Sequence, residues 1–140
     1  MTTETKRPTA EERWEQVQAG GVSTAQDILE LYQEVQAEGT TEERIDEIRE
    51  QVQEWPLSVD VRCASWWSVG AEMEPDEFQV LLGTGGPAMR ITGDIGQHGE
   101  PCNPLMQVQD WFKPWTTCNT TDEQDEALRW FCSEFYFGEG

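Results

Sequence analysis

Apolar positions along the first third of the chain recur at helical spacing. Thr9 followed by Glu12 forms a capping box, and Trp14 with Val17 gives a short amphipathic stretch that Gly20-Gly21 is expected to stop. Ser23 stands in the same relation to Gln26, and Ala25, Ile28, Leu31, Tyr32 and Val35 then mark a second helix that runs to Gly39. Thr40 and Glu43 repeat the pattern. Ile45, Ile48, Val52 and Trp55 form a narrow stripe ending at Pro56, suited to packing in an antiparallel hairpin with the helix before it.

From Leu57 the period changes from 3.6 to 2. Leu57, Val59, Val61 and Cys63 alternate with Ser58, Asp60 and Arg62, and this strand is expected to continue into Ala64-Ser65-Trp66-Trp67. Phe78, Val80 and Leu82 predict a second strand, Met89, Ile91 and Ile95 a third, and Leu105 to Phe112 a fourth. Gly83-Thr84-Gly85-Gly86-Pro87 lies between two of these strands. A phosphate-cradling loop needs a helix after it and a nearby Lys, and neither is present, so this is a hairpin connection. Gly96 to Pro101 is another turn. Thr120, with Glu123 three residues on, opens a last helix carrying Ala127, Leu128 and Phe131. Helices, then a sheet, then a helix predict an α+β fold: N-terminal helices, a four-stranded antiparallel sheet and a C-terminal helix. Residues 1–9 read as a disordered tail and 10–140 as one domain, helical over 10–55 and sheet plus helix over 57–140.

Charge changes the picture more than size does. Across 140 residues, 28 carboxylates against nine Lys and Arg leave a net charge of −19. Such a surface repels phosphate backbones and anionic membranes, which excludes direct nucleic-acid binding and membrane attachment as expected roles. It serves solubility in one reading and imitation of a polyanion in the other. With no apolar leader or spanning run, a cytoplasmic protein is expected, and Cys63, Cys102, Cys118 and Cys132 are then free thiols.

The inventory for catalysis is thin. His98 is the only histidine and lies in a Gly-rich turn; an enzyme reading pairs it with one of the thiols, and a zinc reading adds Cys102, Cys118 and Cys132. Arg62, Arg90 and Arg129 are read as partners of neighbouring carboxylates. No catalytic residue, metal or cofactor is expected.

Surfaces are the better candidates. Glu42, Asp46, Glu50 and Glu54 recur every four residues, which at 1.5 Å per residue sets a charge about every 6 Å along one helix face, with Glu43 and Glu47 beside the row. Arg44 and Arg49 offset only part of the repulsion. This array is either a solvated face or a mimic of nucleic acid for a basic groove on another protein. Trp66, Trp111 and Trp115 are candidate interface anchors, with ring packing at the end of a small core as the other reading.

In VLLGTGGPAMRITGD, VQDWFKPWT and the terminal FYFGEG, the chain resembles a group of small, uncharacterised proteins of bacteriophages and bacterial mobile elements. The likeness spans roughly residues 57–140. It implies the setting of anti-CRISPR and anti-restriction accessory proteins, many of which occlude a nucleic-acid-binding surface. A non-enzymatic inhibitor is therefore expected, binding a host-defence nuclease or CRISPR complex through a basic surface. The rivals are a small enzyme using His98 and a thiol, or an immunity protein that neutralises a basic toxin.

Overall fold

The computed structural model describes Arg7, residues 9–135 and Phe137. The expected tail therefore lies almost entirely outside the described residues, as do Tyr136 and residues 138–140 of the terminal aromatic motif. The chain forms α1 (Ala10–Gln36), α2 (Glu42–Glu54), β1 (Ser58–Arg62), β2 (Glu77–Gly83), β3 (Ala88–Ile95), β4 (Pro101–Asp110), β5 (Lys113–Thr117) and α3 (Asp122–Ser133). The strands make one antiparallel meander in the order β1-β2-β3-β4-β5. This is the expected α+β class with one strand more than expected.

The first two predicted helices are one. Thr9 caps α1 as expected, accepting from the Glu12 amide at 3.1 Å, but the helix passes through Gly20-Gly21 without a break. The glycine serves contact and not termination. A Cβ on Gly21 would collide with Cys118 Sγ and lie 2.9 Å from Val108 Cγ1, so only glycine lets α1 approach the sheet this closely. Ser23 caps nothing. Its neighbour Thr24 returns a hydroxyl hydrogen bond to the Gly20 carbonyl at 3.0 Å within the continuous helix.

The other two N-caps fall one residue later than expected, for the same reason in each case. Thr41 accepts from the Arg44 amide at 3.1 Å, and Thr121 forms a capping box with Gln124. The preceding threonines have other partners: Thr40 donates to the Glu34 carbonyl near the end of α1 at 2.7 Å, and Thr120 donates to Asp125.

Period-2 alternation in the strands puts Val80, Ile91, Met106 and Val108 on one face, where α1 and α3 pack across β4. Ile28 and Ala25 of α1, Ile48 and Val52 of α2, and Leu128 and Phe131 of α3 close the same core. Trp55, at the C-cap of α2, meets Phe131 edge-on at 5.5 Å. Phe78 stacks on Phe137 at 4.6 Å, in space that Gly93 leaves open: a Cβ there would sit 2.7 Å from the Phe78 ring.

Three boundaries differ from expectation. The first strand ends at Arg62, and residues 63–67 leave the sheet, because Asp76 takes over their polar groups: it accepts from the Ala64 amide at 2.9 Å and the Ser65 hydroxyl at 3.3 Å. Strand β4 starts at Pro101, earlier than expected, since a bulge opposite Thr92 to Asp94 absorbs Asn103, at φ 51°, and Pro104. It also stops at Asp110, where a two-residue turn of Trp111 and Phe112 leads into the missed strand β5; Pro114 is tolerated there because β5 is an edge.

Candidate functional site

The carboxylate row lies on the outer side of α2. Thr41 starts that helix and Ile48 and Val52 anchor it to the core, which turns Glu42, Glu43, Asp46, Glu47, Glu50 and Glu54 to solvent; all six are exposed. The two arginines of the helix are drawn to its neighbours. Arg44 forks onto Glu34 of α1, with Nη2 3.1 Å from Oε1, and reaches Glu47 at 3.3 Å. Arg49 reaches Glu134, beyond α3, at 3.1 Å. The Arg44 guanidinium holds the Glu34 carboxyl below its usual range, chiefly through the hydrogen bond. Among the described residues, Glu42, Glu43, Asp46, Glu50 and Glu54 have neither a hydrogen-bond partner nor a cation within salt-bridge distance.

The three tryptophans are not gathered beside this row, nor with one another. Trp66 stands fully exposed in the β1–β2 connection at one end of the sheet. Trp111 is at the opposite end, in the β4–β5 turn, where Gly86 of the β2–β3 hairpin lies against its indole nitrogen. Trp115 is on the sheet face away from the helices, half-buried beneath Arg90, whose Cζ sits 4.1 Å from the ring centroid.

Arg90 itself departs from expectation. Arg62 does pair with a carboxylate, Glu77, at 2.7 Å. Among the described residues Arg90 has none within salt-bridge distance and instead donates Nε to Gln107 at 2.9 Å and Nη1 to Gln79 at 2.7 Å, while Gln107 is fixed in turn by its bond to the Thr117 hydroxyl at 3.1 Å. Burial, and then the nearby Arg62 charge, pull its pKa below the ordinary value. The clasp ties β2, β3, β4 and β5 together across the open face, and register explains it: Arg90 faces Gln107, and Gln107 faces Thr117.

His98 is exposed in the β3–β4 turn, and its backbone amide donates to Glu100 at 2.8 Å; Glu100's own amide, and then that of His98, hold the carboxyl below its usual range. Among the described residues no hydrogen bond joins it to a thiol. Cys102, in the same turn region, contacts the Glu100 carbonyl at 3.7 Å. Cys118 is packed under Gly21 and Cys132 is in the core, and burial raises both thiols. The four side chains of the zinc reading are thus divided between a turn and the core, and no cluster of three metal-ligating side chains occurs among the described residues.

Sequence reasoning passed over two residues near the β4–β5 turn. Phe112 is fully exposed at φ 64°, a backbone region unfavourable for a bulky side chain. Asp110 points to the helix side, following the parity of Met106 and Val108, and its side chain is only 8% exposed. The signal was available: a carboxylate placed at a core-facing step of a strand.

No helix of the described residues is long and apolar enough to cross a membrane. No protein-family model, curated protein or solved structure matches the chain.

Proposed function

We propose that this protein is a non-enzymatic inhibitor that binds a nucleic-acid-handling protein of host defence, with the outer face of α2 laid in a basic groove that nucleic acid otherwise fills. One observation carries the reading: a helix with two arginines directs both toward its neighbours and leaves Glu42, Glu43, Asp46, Glu50 and Glu54 exposed and without cation partners among the described residues. Unpaired like charges about 6 Å apart cost an isolated helix a few tenths of a kcal/mol per pair, and a cationic groove reverses the sign of that term. The resemblance of the sheet region to phage and mobile-element proteins supplies the host-defence setting. Since Trp66, Trp111 and Trp115 occupy three separate places, the row acts without a shared aromatic patch.

The test is a comparison of wild type with the triple variant E42K/D46K/E50K as bait in a bacterial lysate, at low and at high salt. The reading predicts a partner that wild type retains at low salt, releases at high salt, and that the variant never captures. A partner held equally by both baits rejects the α2 surface.

A further inference from the structure

The helix-covered side of the sheet has an open mouth. Between the N-terminal half of α1, the end of α2 and the β2–β3 hairpin lies a cleft of about 540 Å³, walled by Val17, Trp55, Leu82, Met89 and Val108. That volume is in the range of small-molecule sites, which are mostly apolar with a few converging polar groups. The polar lining here is Arg13, Gln16, Thr24 and Asp110, and Asp110 is the buried acceptor among them. Its side chain is more than nine-tenths buried, and its Oδ1 is buried without a hydrogen-bond partner among the described residues.

A buried carboxylate oxygen without a donor is costly and uncommon in a native protein. The nearest cation, Arg13 Nη2 on α1, stands 3.6 Å from Oδ1, beyond hydrogen-bond length, and the Arg13 side chain is half exposed. Arg13 therefore covers the carboxylate without satisfying it. A ligand cation has to take the place of this guanidinium, which is itself half exposed and can be met by water once displaced, while the buried carboxylate keeps a positive partner.

We propose that this cleft binds a small hydrophobic amine, its apolar body against Val17, Leu82 and Met89 and its ammonium group donating to Asp110 Oδ1. Three features select that chemistry. The orphan atom is an acceptor, so the ligand must bring a donor. An ammonium reaches a carboxylate at about 2.7–2.9 Å, shorter than Arg13 manages. The net charge of −19 concentrates small cations near the surface and rejects anions of the same shape. The site is independent of the α2 surface and of the function proposed for it.

The experiment is a titration of the full chain followed by NMR, reading the Val17 and Met89 methyl groups and the Trp55 indole. The probes are 2-phenylethylamine, 2-phenylethanol and 3-phenylpropionate, which share a ring and differ in the polar end. The amine is expected to shift these signals saturably, with the alcohol at least about tenfold weaker and the carboxylate weaker still, as loss of a charge-assisted bond implies. Asp110→Asn should weaken the amine about tenfold or more. Arg13→Gln leaves the carboxylate in place, removes its competitor and should tighten the amine, so the proposal stays testable if the Asp110 variant fails to fold. Equal binding of amine and alcohol, weaker amine binding by Arg13→Gln, or no saturable shift with the amine would overturn it.

Discussion

The two faces of the one sheet follow different rules. On the helix side, Val80, Ile91, Met106 and Val108 are buried against α1 and α3, and shape decides what fits. On the open side, Gln79, Arg90 and Gln107 hold one another by hydrogen bonds in half-solvated surroundings, where a polar clasp forms without a carboxylate. The acidic outer face of α2 stands further out still, and apart from Glu47, which Arg44 reaches, its carboxylates have no cation partner among the described residues. Stability thus concentrates on the covered side and fades outward, and the acidic row sits where stability has little to lose, whereas the Asp110 cleft opens on the covered side itself.

Four substitutions grade that contrast. Phe131→Ala empties the centre of the covered side, where Trp55 and Phe135 meet the ring edge-on, and should cost about 3–5 kcal/mol in chemical denaturation. Gly21→Val pushes a branched side chain into Cys118 and Val108 and should cost about 2–3 kcal/mol; a variant as stable as wild type would show that α1 can lift from the sheet. Arg90→Met on the open face removes two hydrogen bonds and a cation–π contact in a half-exposed place, and should cost only about 1 kcal/mol. The triple reversal E42K/D46K/E50K should change stability by no more than a few tenths of a kcal/mol, since the new lysines at positions 46 and 50 gain Glu43, Glu47 and Glu54 at a spacing of three or four, while the row of three lysines keeps the like-charge repulsion and the first of them faces the helix N-terminus. If that variant instead unfolds, the row has a structural role and the contrast fails.

Much of this arrangement was readable from local patterns. The alternation through Phe78, Val80 and Leu82 and the break at Gly83 to Pro87 located β2, β3 and their hairpin, because two-residue periodicity and turn chemistry act over a few residues. The misreadings share a different cause. Gly20-Gly21 resembles a helix stop until the sheet beneath it is known, and the need for a bare backbone at Gly21 comes from Cys118, far away in sequence. In each Thr-Thr pair, the first threonine is diverted by a partner that local spacing does not reveal: the Glu34 carbonyl for Thr40 and Asp125 for Thr120. Strand β5 was hidden by Pro114, acceptable only because no further strand among the described residues pairs beyond it. The acidic row was legible from its spacing of four, but the turning of Arg44 and Arg49 toward α1 and α3 was not, since it depends on how the three helices pack.

The central claim, that the outer face of α2 substitutes for nucleic acid, is tested most directly by competition. Partner protein captured on the immobilised chain is challenged with duplex DNA and, separately, with the same concentration of a neutral polymer. The account predicts that DNA releases the partner in a dose-dependent way, that the neutral polymer does not, and that E42K/D46K/E50K captures nothing to release. A partner that stays bound under saturating DNA, or that binds the reversed helix as well as the native one, contradicts it.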